Sequence, residues 1–383
     1  MVLGLLVAAA AAAPTAETPP PNASHGRALL QHETTRGGSF CLGGRLVPLF
    51  FLFGCQRCGG TAMYYDIMKH VRGAREGRSI GSEPAFYERE QHFYASGSPS
   101  SSTWDRGISH YTSHFVACPP NSAGFEFSID ATAAYMRKPV AAERIPQMIP
   151  QGAHGKLRFV VVLRDPTDRL YAYWDAFVLG GKGMNNFDIW VKGVMEKVKT
   201  CQNKNGDQLW PPPDNCDEDT VQGVAAGLYA YQLIYWLHRF DPSQFFLTSF
   251  HAYQLETGKV LRDVARFFGA SESLTGTVAN AGDLSSVKVM GGMSNEARKT
   301  LGKFYKPHNA QLLHTLNTNA KMTFSPSLKA LAILEGGRAH TLDTLLALGP
   351  TAPTVGDEGE MSGLSPCIGT SRCSGGGSRP GLT

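Results

Sequence analysis

The sequence predicts an α/β protein with a P-loop-like central parallel sheet and helices on both faces. Three observations carry that expectation. Residues 46–53, LVPLFFLF, and residues 157–163, LRFVVVL, are continuous apolar runs of the length and composition of strands buried on both faces. Each leads directly into a loop with anion-binding chemistry and then into a helical pattern. Further strand and helix patterns alternate down the chain, the order that builds a parallel sheet.

After the first run comes the loop GCQRCGGT at 54–61, then AMYYDIMKHV, which places Met63, Ile67, Met68 and Val71 at helical spacing. Residues 96–104 are Ser-rich and read as a surface loop. FEFSI at 125–129 reads as a short strand ending at Asp130, and 141–149 as a short helix interrupted by Pro146. The strand at 157–163 passes into a helix from about Thr167 to Val178, its start marked by Asp165-Pro166. Residues 221–240 read as an aromatic-rich helix and FFLTS at 245–249 as a strand. A helix over 256–268 carries Val260, Leu261, Val264, Phe267 and Phe268 on one side, and another over 294–317 is expected to break near Pro307. No internal repeat is present.

Domain organisation follows from composition. Residues 1–45 read as an apolar N-terminal segment and a linker rich in Pro, Thr, Gly and Arg, 46–320 as one catalytic-size domain, and 321–383 as a C-terminal extension whose Gly, Ser, Thr and Pro predict disorder after about 350. With 383 residues and 42% hydrophobic content, the chain can bury a large core. The net charge of +4 and the lack of a long Lys/Arg run exclude a nucleic-acid partner. MVLGLLVAAAAAA at 1–13 is shorter than the ~20 apolar residues that span a bilayer. It leaves three readings: a signal peptide, a truncated membrane anchor that would give membrane association, or an Ala-rich start. The sequon Asn22-Ala23-Ser24 would lie in the stalk of a secretory chain. Nothing specifies an oligomeric state.

Eight cysteines occur, at 41, 55, 58, 118, 201, 216, 367 and 373. Cys201 and Cys216 bracket a polar, Pro-rich segment that a bridge would close; two free thiols on a surface loop are the alternative.

The loop at 54–61 has the spacing of G-x-x-x-x-G-K-[ST], with Gly60 in the lysine position. Glycines there let backbone N–H groups turn inward around an anion, the helix N-terminus adds favourable dipole charge, and Thr61 can donate its hydroxyl. Without the lysine the loop does not suit a nucleoside triphosphatase. Arg57 places a cation inside it instead. Cys55 and Cys58 also fit a thioredoxin-type dithiol, but they read better as small buried residues packing the loop. No second ligand pair at zinc spacing accompanies them, so no metal is expected.

The second anchor is VVVLRDPTDRLYAYW at 160–174. Arg164 follows the strand at once, and ligands bind outside the carboxyl ends of strands in open α/β sheets. Its guanidinium is matched to a second phosphate. Asp168 and Arg169 read as a pair with each other or as a helix cap.

With RCGGT at 57–61 and LRDPTDRLYAYW at 163–174, the chain resembles the Golgi carbohydrate sulfotransferases. Their 5′-phosphosulfate loop looks like K-x-G-T-[TR], and their 3′-phosphate motif like L-R-[DN]-P-x-[ED]-R-x-x-S-x-Y. EPAFY at 83–87, DATAAYM at 130–136 and KTLGKFYKPHNAQLL at 299–313 resemble further family segments, so the likeness covers about 46–317. The loop and the DAT segment look closest to the N-acetylgalactosamine 4-sulfate 6-O-sulfotransferases, with heparan sulfate sulfotransferases alongside.

The resemblance implies a sulfotransferase fold, 3′-phosphoadenosine 5′-phosphosulfate (PAPS) as co-substrate without a metal, a glycan acceptor that can already carry sulfate, and residence in the Golgi or secretory pathway. It implies roles as well. Arg57, Cys58, Gly59, Gly60 and Thr61 hold the 5′ end, with Arg57 at the bridging oxygen. Arg164 clamps the 3′-phosphate, Glu83 takes the acceptor proton, and Lys288 helps hold the nucleotide. His92, His110 and His114 are spare bases. The sequence departs from the family at Arg57 (for Lys), Gly60 (for Thr), Ala85 (for His) and Ala172 (for the Ser that contacts the 3′-phosphate). Each change removes or alters a polar contact worth about 1–3 kcal/mol. Two other functions compete: a thiol-disulfide oxidoreductase using Cys55 and Cys58, and a non-catalytic PAPS- or glycan-binding relative.

Overall fold

Alternating apolar strands and amphipathic helices assemble around one parallel sheet. The computed structural model describes residues 32–325 except 36, 81–87, 96–102, 122, 179–185, 207–208, 212, 214, 218–222, 280–291 and 320. Glu83, Ala85, Lys288, the apolar N-terminus, the sequon and the C-terminal extension beyond 325 lie outside the described residues.

Strands β1 (His32–Thr34), β2 (Phe40–Leu42) and β3 (Arg45–Leu46) form a small antiparallel sheet. The stretch expected as linker is therefore folded from residue 32. A disulfide from Cys41 to Cys118 ties this sheet to the main domain, and Leu46 N–H donates to Val116 O at 3.0 Å.

The main sheet contains β4 (Phe50–Leu52), β5 (Ala74–Arg75), β6 (Phe127–Asp130), β7 (Arg158–Leu163), β8 (Phe245–Ser249) and β9 (Thr323–Phe324), in the order β5-β6-β4-β7-β8-β9. Every pairing is parallel. Successive side chains of β4 point to opposite faces. Phe50 stacks on Phe268 at 4.3 Å between ring centroids, while Phe53 meets Trp236 at 4.5 Å. Both faces are thus covered, as the continuous apolar runs require. Each of these buried rings contributes about 1.5–3 kcal/mol of transfer free energy.

The helices are α1 (Gly60–His70), α2 (Gly107–Ser113), α3 (Pro139–Met148), α4 (Pro166–Phe177), α5 (Phe187–Asn205), α6 (Tyr229–Leu237), α7 (Phe250–Leu255), α8 (Thr257–Phe268) and α9 (Asn295–Thr318). Helix α1 buries Met63, Tyr64, Ile67 and His70, one stripe at helical spacing. A second core packs α4, α5 and the first half of α9 through Leu170, Trp174, Trp190, Val194, Leu301 and Tyr305.

Four expectations change. Pro146 lies inside α3 and Pro307 inside α9 without ending either helix. The aromatic helix expected over 221–240 runs only from Tyr229 to Leu237, after a 3-10 turn at Ala225–Gly227. Helix α5 has no counterpart in the reading above, although Phe187, Trp190, Val191, Val194 and Val198 recur at helical spacing. Its C-terminal end is bridged by Cys201–Cys216, which selects the disulfide over two free thiols.

The topology puts a switch point between β4 and β7. From β4 the chain leads to β5 at one edge of the sheet; from β7 it leads to β8 on the other side. Neighbouring strands whose connections diverge leave a cleft at their carboxyl ends, where ligands of open α/β sheets bind.

Candidate active site

The loop after β4 is shaped by its glycines and a bridged turn. A Cβ on Gly54 would fall 2.7 Å from the Cα of Val161, so only glycine lets β4 end this close to β7. Next comes a tight turn: Cys58 N–H donates to Cys55 O at 3.1 Å, and Arg57 between them holds φ 69°, in the left-handed region. Cys55 and Cys58 form a disulfide across that turn. They are 4% and 0% exposed. Both are small and buried, as expected, and the structure adds a covalent bond between them.

Gly59 follows at φ 89°, and a Cβ there would lie 2.5 Å from the Phe250 ring. Gly60 and Thr61 then open α1. The helix start carries no side-chain cap and no acidic residue in its first turn. The first four N–H groups of a helix lack intrahelical acceptors, and the dipole favours an anion there. A Cβ on Gly60 would meet nothing within 4 Å, and Thr61 is exposed. The loop therefore presents an open, cationic helix terminus.

Arg164 leaves β7 beside this loop. Its Nη1 donates to the carbonyl oxygen of Arg57 at 3.2 Å, and its guanidinium lies 4.7 Å over the Phe250 ring. Tyr229 Oη donates to Arg164 O at 2.9 Å and fixes the backbone. Only 6% exposed, the guanidinium is pushed below its ordinary pKa by burial, an effect that Asp168 opposes. Arg57 takes a different direction from the one expected. Its Nε donates to Ala172 O on α4 at 3.1 Å, and its guanidinium stands 5.9 Å over Phe177. The two sequence anchors thus lie side by side at the carboxyl ends of β4 and β7.

Asp165 caps α4 by accepting from Asp168 N–H at 2.9 Å. Burial first, and then the charge of Asp168, push its carboxyl up to about 6. Asp168 pairs with Arg298 of α9 at 2.9 Å rather than with Arg169. Arg169 is fully buried and donates Nη2 to Gly223 O. The expected Asp168–Arg169 pair is therefore absent: each side chain has a different partner.

A buried network stands at the end of β6. Asp130 accepts from Thr132 Oγ1 at 2.6 Å, Tyr135 Oη at 2.8 Å and Tyr111 Oη at 3.1 Å. Burial raises its pKa, and the Thr132 and Tyr135 hydroxyls oppose the shift. Thr132 Oγ1 in turn accepts from His92 N–H at 3.0 Å. The network holds the segment after residues 81–87 against the strand beside β4 and its 54–61 loop. Of the spare histidines, His114 is buried with Nδ1 2.9 Å from His110 O, and His92 faces Glu90 at 3.4 Å. Among the described residues no group of three or more His, Cys, Asp or Glu could hold a metal ion.

Phe250 and Arg298 were invisible to sequence reasoning. Phe250 is the residue after an apolar strand, and Arg298 one of several cations in α9; neither sits in a motif.

Residues 50–290 match the sulfotransferase domain family, and the chain belongs to that family. It is 24% identical over 302 residues to mouse (Mus musculus) bifunctional heparan sulfate N-deacetylase/N-sulfotransferase 4, covering 71% of this chain and 30% of that protein. It is 25% identical over 170 residues to human carbohydrate sulfotransferase 15, covering 43% of this chain and 30% of that protein. The chain thus spans about a third or less of these curated relatives. Among solved structures, a sulfotransferase from Alicyclobacillus acidocaldarius aligns over 70% of this chain and 94% of its own, with a TM-score of 0.49 and 19% identity. Membership of this family does not favour the oxidoreductase reading.

Proposed function

We propose that the chain transfers the sulfuryl group of PAPS to a hydroxyl of a carbohydrate acceptor, including glycans that already carry sulfate. One observation carries this reading: Arg164 Nη1 lies 3.2 Å from the carbonyl of Arg57, so a phosphate-type loop and a guanidinium share one crevice. PAPS has a phosphosulfate at one end and a 3′-phosphate at the other, and such a crevice can engage both. The names of the relatives, which act on heparan sulfate and other carbohydrates, support the acceptor class.

In the proposed step an acceptor hydroxyl attacks sulfur in line. The new O–S bond forms as the S–O bond to the 5′-phosphate breaks, and the electron pair leaves with adenosine 3′,5′-bisphosphate. Glu83 takes the hydroxyl proton. The N–H groups at the start of α1, with Cys58, Gly59, Gly60 and Thr61, stabilise the charge on the 5′ side. Arg164 holds the 3′-phosphate, and Lys288 helps hold the nucleotide. Catalysis is then largely positioning and electrostatics, as in phosphoryl transfer, and needs no metal.

Residence in the Golgi or secretory pathway is part of the same reading, supported by three disulfides among the described residues and by the sequon. Among the described residues no helix is long and apolar enough to cross a membrane; membrane association would rest on residues 1–13.

Titration of the purified chain with adenosine 3′,5′-bisphosphate and ADP tests the donor class. The bisphosphate should bind more tightly, and Arg164→Ala should remove most of that preference while the fold survives. Equal binding of the two nucleotides would reject PAPS as donor.

A further inference from the structure

We propose that Arg57 and Arg164 together grip a single dianion, the 3′-phosphate of the donor, and that the Cys55–Cys58 bridge positions Arg57 for this task. The inference rests on the donor reading above. It moves Arg57 from the leaving oxygen, where sequence reasoning put it, to the opposite end of the nucleotide.

The geometry makes the argument. Arg57 sits on the phosphate loop, yet its Nε is bonded to Ala172 O, on the helix that Arg164 introduces. Arg164 reaches back to the Arg57 carbonyl. Each arginine therefore leans on the other's segment. Arg57 uses only Nε in its hydrogen bond, and among the described residues no carboxylate pairs with it. Its two terminal nitrogens keep their donors for a ligand. Ala172 offers no side-chain donor of its own, and the Arg57 guanidinium is bonded to its carbonyl.

Electrostatics point the same way. The two guanidinium groups repel each other in the free protein: after burial, the charge of Arg57 is among the causes that lower Arg164. A dianion between them removes that repulsion, and guanidinium forks suit phosphate oxygens. The 5′ end is provided for separately by the uncapped start of α1. Backbone amides would serve one end of the donor and paired arginines the other.

The bridge explains how Arg57 is held. Non-glycine residues seldom adopt φ near 69°, and they keep it only where the surroundings enforce it. Here the residues on either side of the turn are covalently joined, with their Cα atoms 5.4 Å apart. Opening that link frees the turn to relax and releases the Arg57 side chain from Ala172.

The test compares adenosine 3′,5′-bisphosphate with adenosine 5′-monophosphate, which lacks the 3′-phosphate, by calorimetry on the oxidised full-length chain. If the unaltered protein binds both equally, the donor reading fails before Arg57 is in question. If it prefers the bisphosphate, Arg57→Ala should weaken bisphosphate binding by about ten- to hundredfold, the range of charge-assisted contacts. Binding of the monophosphate should stay within about twofold. Arg57→Lys should fall between, since it keeps the charge but loses the Nε anchor. Equal losses for both nucleotides, or no loss, would overturn the assignment. The paired variant Cys55→Ser with Cys58→Ser should lose part of the same preference, and adding Arg57→Ala should then cost less than it does alone. Full preference in a folded bridge-free variant would overturn the positioning role. Should that variant not fold, the unaltered protein is titrated before and after treatment with a phosphine reductant, with the state of each cysteine read by mass spectrometry.

Discussion

The ring of Phe250 fills the space that a Cβ on Gly59 would need, with Cδ2 2.5 Å from the ideal Cβ position. The same ring lies under Arg164, so one side chain from α7 supports both anchors of the site. Gly59→Ala should therefore lower stability by about 2–4 kcal/mol, the sum of a left-handed backbone without glycine and an overpacked contact. Adding Phe250→Leu should recover the packing part and leave the backbone part. Urea midpoints of the two variants measure this; an unchanged midpoint in Gly59→Ala would contradict the packing described.

The adjacent glycine behaves in the opposite way. Gly60 begins α1 and faces open space. Gly60→Ala should stabilise the chain by about 0.4–1 kcal/mol, because it restricts the unfolded chain without a clash. A fall in melting temperature would mean that the loop is tighter at Gly60 than its geometry indicates.

Asp165 gives a pH-dependent prediction. Its folded pKa, about 6, stands above the ordinary 3.8. A raised value means that the native state binds the proton more strongly than the unfolded chain. The group's stabilising contribution is then full below 3.8 and is lost as pH rises through 6. Asp165→Asn keeps an acceptor for the Asp168 N–H and removes the buried charge. The variant should exceed the unaltered protein at pH 8 by about 1–3 kcal/mol, a margin that closes as pH falls toward 4. Thermal melts across pH 4–8 read the difference, and a margin independent of pH would refute it.

The three disulfides should differ in their effect on global stability. Cys41–Cys118 spans 77 residues and Cys201–Cys216 spans 15. On loop-closure entropy alone, replacing each pair by alanine should cost about 4.5 and about 3 kcal/mol, respectively. The separation of three residues between Cys55 and Cys58 restrains the unfolded chain least. Its removal should show weakly in denaturant curves and chiefly as a partial loss of the preference for the bisphosphate. The reverse ranking would indicate that the bridge stabilises the whole domain rather than the turn.

The central sheet and the two anchors were legible because their chemistry is local. A continuous apolar run marks a strand covered on both faces, and the residue after that strand lies at the crevice whatever the rest of the chain does. What escaped depends on partners distant in sequence. Arg169 reads as the natural partner of Asp168, yet successive helical residues point about 100° apart, and Asp168 finds Arg298 instead. The fold of residues 32–45 rests on a covalent link to Cys118, which composition does not announce. Pro146 and Pro307 are breakers by local rule, but tertiary packing carries α3 and α9 through them. The direction of Arg57 could not be read from its motif, because a left-handed turn decides it.

A sulfur–sulfur bond inside a nucleotide loop also bears on routine handling. Thiols added to protect a preparation, or carried over from an affinity column, would alter the turn proposed to judge the donor. Two laboratories working with the same chain could then measure different affinities, and the discrepancy would trace to the tube rather than to the sequence.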